Sequence, residues 1–246
     1  MPNSLSPSSA KSAGYVLHVM TASGAVAGML GLEAVISGHL RAALIWLIVC
    51  QILDGLDGPI ARKLDVKIHA GRIDGHILDL VVDYLTCVVV PVALLLSQNL
   101  LPKHYAVLVA SLILLSSALW FARTDQETSD HWFNGFPAVW NLVIPTLLIV
   151  GADKNEVLVV AILLSGLQLT NFKVPHLVRV RKFRKLTLPL TCVYLADLTY
   201  LSWNFSDLGG EHINSLQTTI LIAFPIYIGL LSIWRTWFSK EKPDTV

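Results

Sequence analysis

From residue 14 to residue 237 the chain is a near-continuous series of apolar runs, several of them about 20 residues long, the length that crosses about 30 Å of hydrocarbon. A backbone inside hydrocarbon must satisfy its own polar groups, and apolar runs of this length do so as helices. Only 14% of the residues are charged, against about 25% in an average soluble domain, too few to cover a water-facing surface. The chain therefore reads as an all-α polytopic membrane protein. Eight spans can be drawn, over 14–37, 42–62, 75–98, 104–122, 136–152, 156–172, 187–203 and 214–237, with the fifth and sixth short. No soluble domain, internal repeat or low-complexity segment interrupts them.

Residues 1–13 are polar, carry only Lys11 and read as a flexible cytoplasmic tail. The run that follows is too long for a signal-peptide core and lacks a clear cleavage site, so it is taken as the first membrane helix. Lys and Arg collect on the cytoplasmic side of membranes. With the N-terminus cytoplasmic, 15 of the 18 Lys and Arg residues fall on that side, leaving Arg41, Lys103 and Lys154 on the other. This split favours both termini in the cytoplasm. A net charge of +1 points to no nucleic-acid partner. Cys50, Cys87 and Cys192 lie inside apolar runs with no metal-ligand spacing and read as small core residues.

Four carboxylates break the apolar pattern. Asp54 and Asp57 end the second span, three residues apart, and Asp79 and Asp83 begin the third, four apart. Each spacing puts its pair on one face of a helix. The two helices are antiparallel neighbours, so all four acids can converge at the cytoplasmic end. Charges in this position are costly and mark functional sites by default. An oxygen-only set with no His or Cys suits hard ions such as Mg²⁺ or Mn²⁺, and two such ions commonly clamp a phosphate or pyrophosphate. Gly55, Gly58 and Gly75 allow close approach of backbone or ligand, and Arg62 lies four residues beyond Gly58 on the same face. Pairing of the acids with interfacial Arg and Lys, or an ion path in a transporter, are the rival readings.

Asp54, Asp57, Gly58, Ala61 and Arg62, a spacer, then Gly75, Asp79 and Asp83 resemble the Asp-x-x-Asp-Gly-x-x-Ala-Arg … Gly-x-x-x-Asp-x-x-x-Asp pattern of the membrane CDP-alcohol phosphotransferase family. The shorter spacer usual in that family would start the second half at Gly71, but the residue four beyond Gly71 is Gly75, not an acid. Only Gly75 fits, which makes the spacer twelve residues, Lys63 to Asp74. That length is similar to the bacterial phosphatidylcholine synthase branch, as are "HVMTASGAVAG", "FNGFPAVWN" and "VRVRKFRK". The resemblance covers most of the chain. It implies the CDP-alcohol phosphotransferase fold as one domain, with a six-helix catalytic core over 14–172 and two additional helices over 187–237. It also implies transfer of the phosphatidyl group of CDP-diacylglycerol to choline with release of CMP, in the bacterial inner membrane, by a homodimer holding Mn²⁺ or Mg²⁺ as two ions. By the same resemblance Asp54, Asp57 and Asp79 are metal ligands, Asp83 is the general base and also touches metal, and Gly58, Ala61, Arg62 and Gly75 line the CDP site. Phosphatidylserine synthase shares the motif and is the rival within the family.

Thr21 and Ser23, beside Gly24, sit where related enzymes place a nucleotide-facing turn, although a small-residue helix contact serves as well. Choline is a quaternary ammonium, which aromatic faces bind. Tyr84 adjoins Asp83, and Trp140 and Asn141 lie in the fifth span, so these three are candidates, with packing or interfacial anchoring as the alternative. Glu127 and Asp130 are possible counter-charges. Arg179 and Arg181 head the densest basic run and either anchor the chain at anionic lipid or contact the lipid substrate's phosphate. Glu33 reads as structural, and Asp197 has no assigned role.

Overall fold

The structure is a computed structural model that describes residues 7–63, 70–206 and 213–239, with the backbone alone for residues 7–10, 57, 59, 62 and 63. Eight helices run through the described residues: α1 (Pro7–Ile36), α2 (Leu40–Lys63), α3 (Gly75–Ser97), α4 (Ala106–Phe121), α5 (Trp140–Ile149), α6 (Lys154–Gln168), α7 (Arg184–Trp203) and α8 (Ser215–Phe238). Three of them, over Lys11–Ile36, Gly75–Ser97 and Ser215–Phe238, are long and apolar enough to cross a membrane by length and composition. α4 and α5 are shorter apolar helices. Large apolar side chains cover the outside, among them Val107 and Leu216, while Leu44, Leu47, Leu94, Ile113, Ile144, Leu198 and Leu221 fill the interior. Apolar residues on both faces are what a bundle solvated by lipid requires.

The helices follow the expected order, with differences at their ends. α1 begins at Pro7, inside the segment read from sequence as a tail. α5 has ten residues where the sequence suggested a span over 136–152. At 1.5 Å per residue it is about 15 Å long. The chain before it is held out of helix by positive φ angles at Gly135 and Ala138. Gly135 is a necessary glycine, because a Cβ there would lie 2.5 Å from the Gln168 carbonyl oxygen. Two helix starts are legible locally. Asp153 and Glu156 form a reciprocal capping box on α6, and Asn214 and Gln217 form another on α8.

α3 is not uniform. An α-helical stretch, Gly75–Asp83, passes into a π-helical turn, Tyr84–Val89, before α-helix resumes over Val90–Ser97. Pro91 lacks the N–H that an α register would give to the Cys87 carbonyl, and the wide turn ends just before it.

α1 packs closely on α3. A Cβ on Gly24 would sit 2.7 Å from Val82 Cγ1, and one on Gly28 would sit 3.0 Å from Thr86 Cγ2. Small residues at such positions let membrane helices approach.

A two-stranded antiparallel sheet, β1 (Trp132–Asn134) with β2 (Lys173–Pro175), joins the loops after α4 and α6. Arg123 clamps the same loops, pairing with Asp125 and donating to the carbonyls of Gln168 and Thr170. Arg235 at the end of α8 pairs with Asp130 at 3.1 Å.

Candidate active site

Asp54 near the end of α2 and Asp79 and Asp83 on α3 each offer a carboxylate oxygen, and these atoms lie within 4.8 Å of one another. Asp79 and Asp83 share a face because they are one turn apart. Asp74 starts the helix: its carboxylate caps α3 by accepting from the N–H groups of His76 (2.9 Å) and Ile77 (3.2 Å). The three acids line a cleft together with Thr21, Gly24, Cys50, Leu53, Val82 and Thr86. The glycine contacts between α1 and α3 thus bring Thr21 to the acids.

Three convergent carboxylates repel unless a cation or protons neutralise them. The donor set is all oxygen, and the positions suit a hard divalent ion. The residues present therefore fit a metal. The fourth expected acid, Asp57, and Arg62 have side chains outside the described residues. Behind the cluster, Gln51 Nε2 donates to Asp54 Oδ2 at 3.4 Å, and Asn141 Nδ2 donates to Gln51 Oε1 at 2.9 Å.

Gly75 faces His18: a Cβ there would lie 3.1 Å from the ring. Ala61 packs against a small cluster around Leu17 and Ala70, and Gly58 is half-buried on α2. Ser23 donates its hydroxyl to the Met20 carbonyl at 2.6 Å and is absent from the cleft lining. Tyr84 donates to the Leu114 carbonyl at 3.1 Å and packs edge-on to Phe121.

Trp140 and Asn141, expected from sequence to meet choline, both have partners inside the core. Trp140 is 1% exposed, and its indole N–H donates to Ser117 Oγ at 3.0 Å. Asn141 is 2% exposed and turned toward Gln51. Both lie at the start of α5, where the short helix is driven into the core.

In the loop layer, Arg179 donates to both oxygens of Glu127, and His131 Nδ1 is 2.7 Å from Glu127 Oε1. Burial raises the Glu127 pKa, but these two partners outweigh it and hold the carboxyl below its usual value. Arg181 is exposed on the same loop. Burial, with Arg179 nearby, pushes His176 down to about 4, and its ring stacks on Phe133.

Sequence reading missed Gln51, Asp74 and the lining residues Cys50, Val82 and Thr86. Gln51 carried a signal, a polar residue in an apolar run one turn before Asp54. Asp74 also carried one, an acid directly before a helix start.

The family model for CDP-alcohol phosphatidyltransferase matches residues 16–172. The chain belongs to that family. Three relatives named phosphatidylcholine synthase resemble it over most of its length. The protein of Pseudomonas aeruginosa is 37% identical, covering 75% of this chain and 78% of its own. That of Borreliella burgdorferi is 32% identical over 93% of this chain and 96% of its own. That of Bradyrhizobium diazoefficiens is 37% identical over 78% and 72%. The CDP-alcohol phosphatidyltransferase match ends at residue 172, so α7 and α8 lie beyond it.

Proposed function

We propose that the chain is a phosphatidylcholine synthase, which transfers the phosphatidyl group of CDP-diacylglycerol to choline and releases CMP. The observation that carries this reading is the meeting of Asp54, Asp79 and Asp83 within 4.8 Å, on motif positions of a chain whose relatives bear that name along most of its length.

The choline hydroxyl oxygen bonds to the phosphorus that carries diacylglycerol. The bond from that phosphorus to the bridging oxygen breaks, and its electron pair leaves with CMP. Asp83 accepts the hydroxyl proton. Asp54, Asp57 and Asp79, together with Asp83, would hold divalent metal. Mn²⁺ or Mg²⁺ bound there, as two ions in this reading, would supply the positive charge that neutralises the pyrophosphate and the leaving CMP.

Gly58, Ala61, Arg62 and Gly75 form the CDP side of the site, with Thr21 reaching it from α1. Ser23 supports the α1 backbone there. Tyr84, next to Asp83, is the aromatic candidate for the choline methyl groups. Arg179 is engaged by Glu127, which makes exposed Arg181 the better lipid-phosphate contact. The proposal places the protein in a bacterial inner membrane as a homodimer, with both termini cytoplasmic and the acids at the cytoplasmic face.

Purified protein given CDP-diacylglycerol, Mn²⁺ and either labelled choline or labelled serine tests the acceptor. Label entering lipid from choline supports the reading. Label from serine and not choline overturns the acceptor, and ion flux across liposomes without CMP release overturns the enzyme class.

A further inference from the structure

The Asp54 carboxylate is tied to α5 by two amides in series. Asn141 Nδ2 donates to Gln51 Oε1 at 2.9 Å, which leaves Gln51 Nε2 to donate to Asp54 Oδ2 at 3.4 Å. Asn141 lies 90 residues from Gln51 in sequence and is 2% exposed. Its own Oδ1 is buried with no hydrogen-bond partner among the described residues.

The chain of donors has one workable direction. A Gln51 amide turned end for end would set its oxygen against the Asp54 carboxylate and its N–H₂ against that of Asn141. The acceptor-only Asp54 carboxylate therefore takes the N–H₂ end of Gln51, and Asn141 Nδ2 holds the oxygen end in place. An amide with one end unpaired in a core is unfavourable, and a hydrophobe of similar size would fill the position without that penalty. Residues behind a metal ligand fix its orientation and tune the affinity of the site.

We propose that Asn141 and Gln51 are positioning residues for Asp54: together they hold its carboxylate toward Asp79 and Asp83 and so set the affinity for divalent cation. This rests on the reading of the acid cluster as a metal site. It moves Asn141 from the acceptor side of the site to the metal side.

The test is Mn²⁺ binding to the full-length protein in detergent, read from the electron paramagnetic resonance signal of free Mn²⁺, with no substrate present. Asn141→Leu and Gln51→Leu should each weaken binding about 10-fold to 100-fold, the usual range for such outer residues. The double variant should be no weaker than Gln51→Leu alone, because both act through one link. Losses that multiply in the double variant overturn the relay. So does wild-type Mn²⁺ affinity in Asn141→Leu with only its metal-free melting temperature lowered, the result of a packing role. Should Asn141→Leu not be recovered folded, Gln51→Leu decides, and wild-type affinity there breaks the relay at its middle. A wild-type protein that binds no Mn²⁺ overturns both the relay and the metal reading beneath it.

Discussion

Asp54 on α2 and Asp83 on α3 bring carboxylate oxygens within 4.8 Å of each other across two antiparallel helices. Two unit charges at that distance repel by about 3.5 kcal/mol at an effective dielectric constant near 20, and Asp79 adds to it. A bound cation would relieve this repulsion. Added Mn²⁺ should raise the melting temperature of the detergent-purified protein, by about 2.7 kcal/mol of stabilisation at 100 times the dissociation constant. Chelation should reverse the rise and stop turnover. In Asp54→Ala the Mn²⁺-dependent rise should disappear. A rise equal to wild type would place the metal elsewhere.

The approach of α1 to α3 depends on hydrogen-sized positions. Gly24→Ala sets a Cβ 2.7 Å from Val82 Cγ1, on a stiff β-branched side chain, so a helix must shift. A destabilisation of about 1–3 kcal/mol is expected, with lower turnover as Thr21 moves off the acids. Gly229→Ala on α8 meets nothing within 4 Å and is the control, expected near wild type in both measurements.

Trp140→Phe keeps a ring in the core and removes the N–H that donates to Ser117 Oγ. The expected outcome is a loss of about 1 kcal/mol in stability with the choline KM unchanged. A choline KM raised several-fold with stability intact would return Trp140 to the acceptor pocket.

Acid should weaken the loop layer through His176. Its pKa is about 4 in the folded protein and 6.5 for an ordinary histidine, so between those values the unfolded chain binds more protons. Stability contributed by the neutral ring is therefore complete above pH 6.5 and falls as pH drops toward 4. His176→Phe, which retains stacking on Phe133, should lose less melting temperature than wild type between pH 7 and pH 5. Equal losses would show that other groups govern the acid limb.

The helix order and the three described motif acids were legible because both rest on local spacing. Apolar run length marks helices, and separations of three and four mark one face. The π-helical turn Tyr84–Val89 was not legible, because it depends on a missing proline donor combined with packing around α3. The β1–β2 pairing was hidden because it joins two three-residue segments from different loops, as in Trp132 opposite Pro175. The partners of Trp140 and Asn141 were hidden for a related reason. Near the end of a span an aromatic and an amide suit a ligand or a core equally, and only the tertiary partners Ser117 and Gln51 separate the two.

Asp83 carries the central claim, that this cleft transfers a phosphatidyl group with a carboxylate taking the acceptor's proton. The direct measurement compares wild type with Asp83→Asn in two quantities, CMP released in the presence of choline and Mn²⁺, and binding of CDP-diacylglycerol. Loss of a general base lowers rate by about 10²–10⁴-fold. The expected result is a fall in CMP release of at least that size with lipid-nucleotide binding largely retained. CMP release at the wild-type rate in Asp83→Asn would contradict the mechanism.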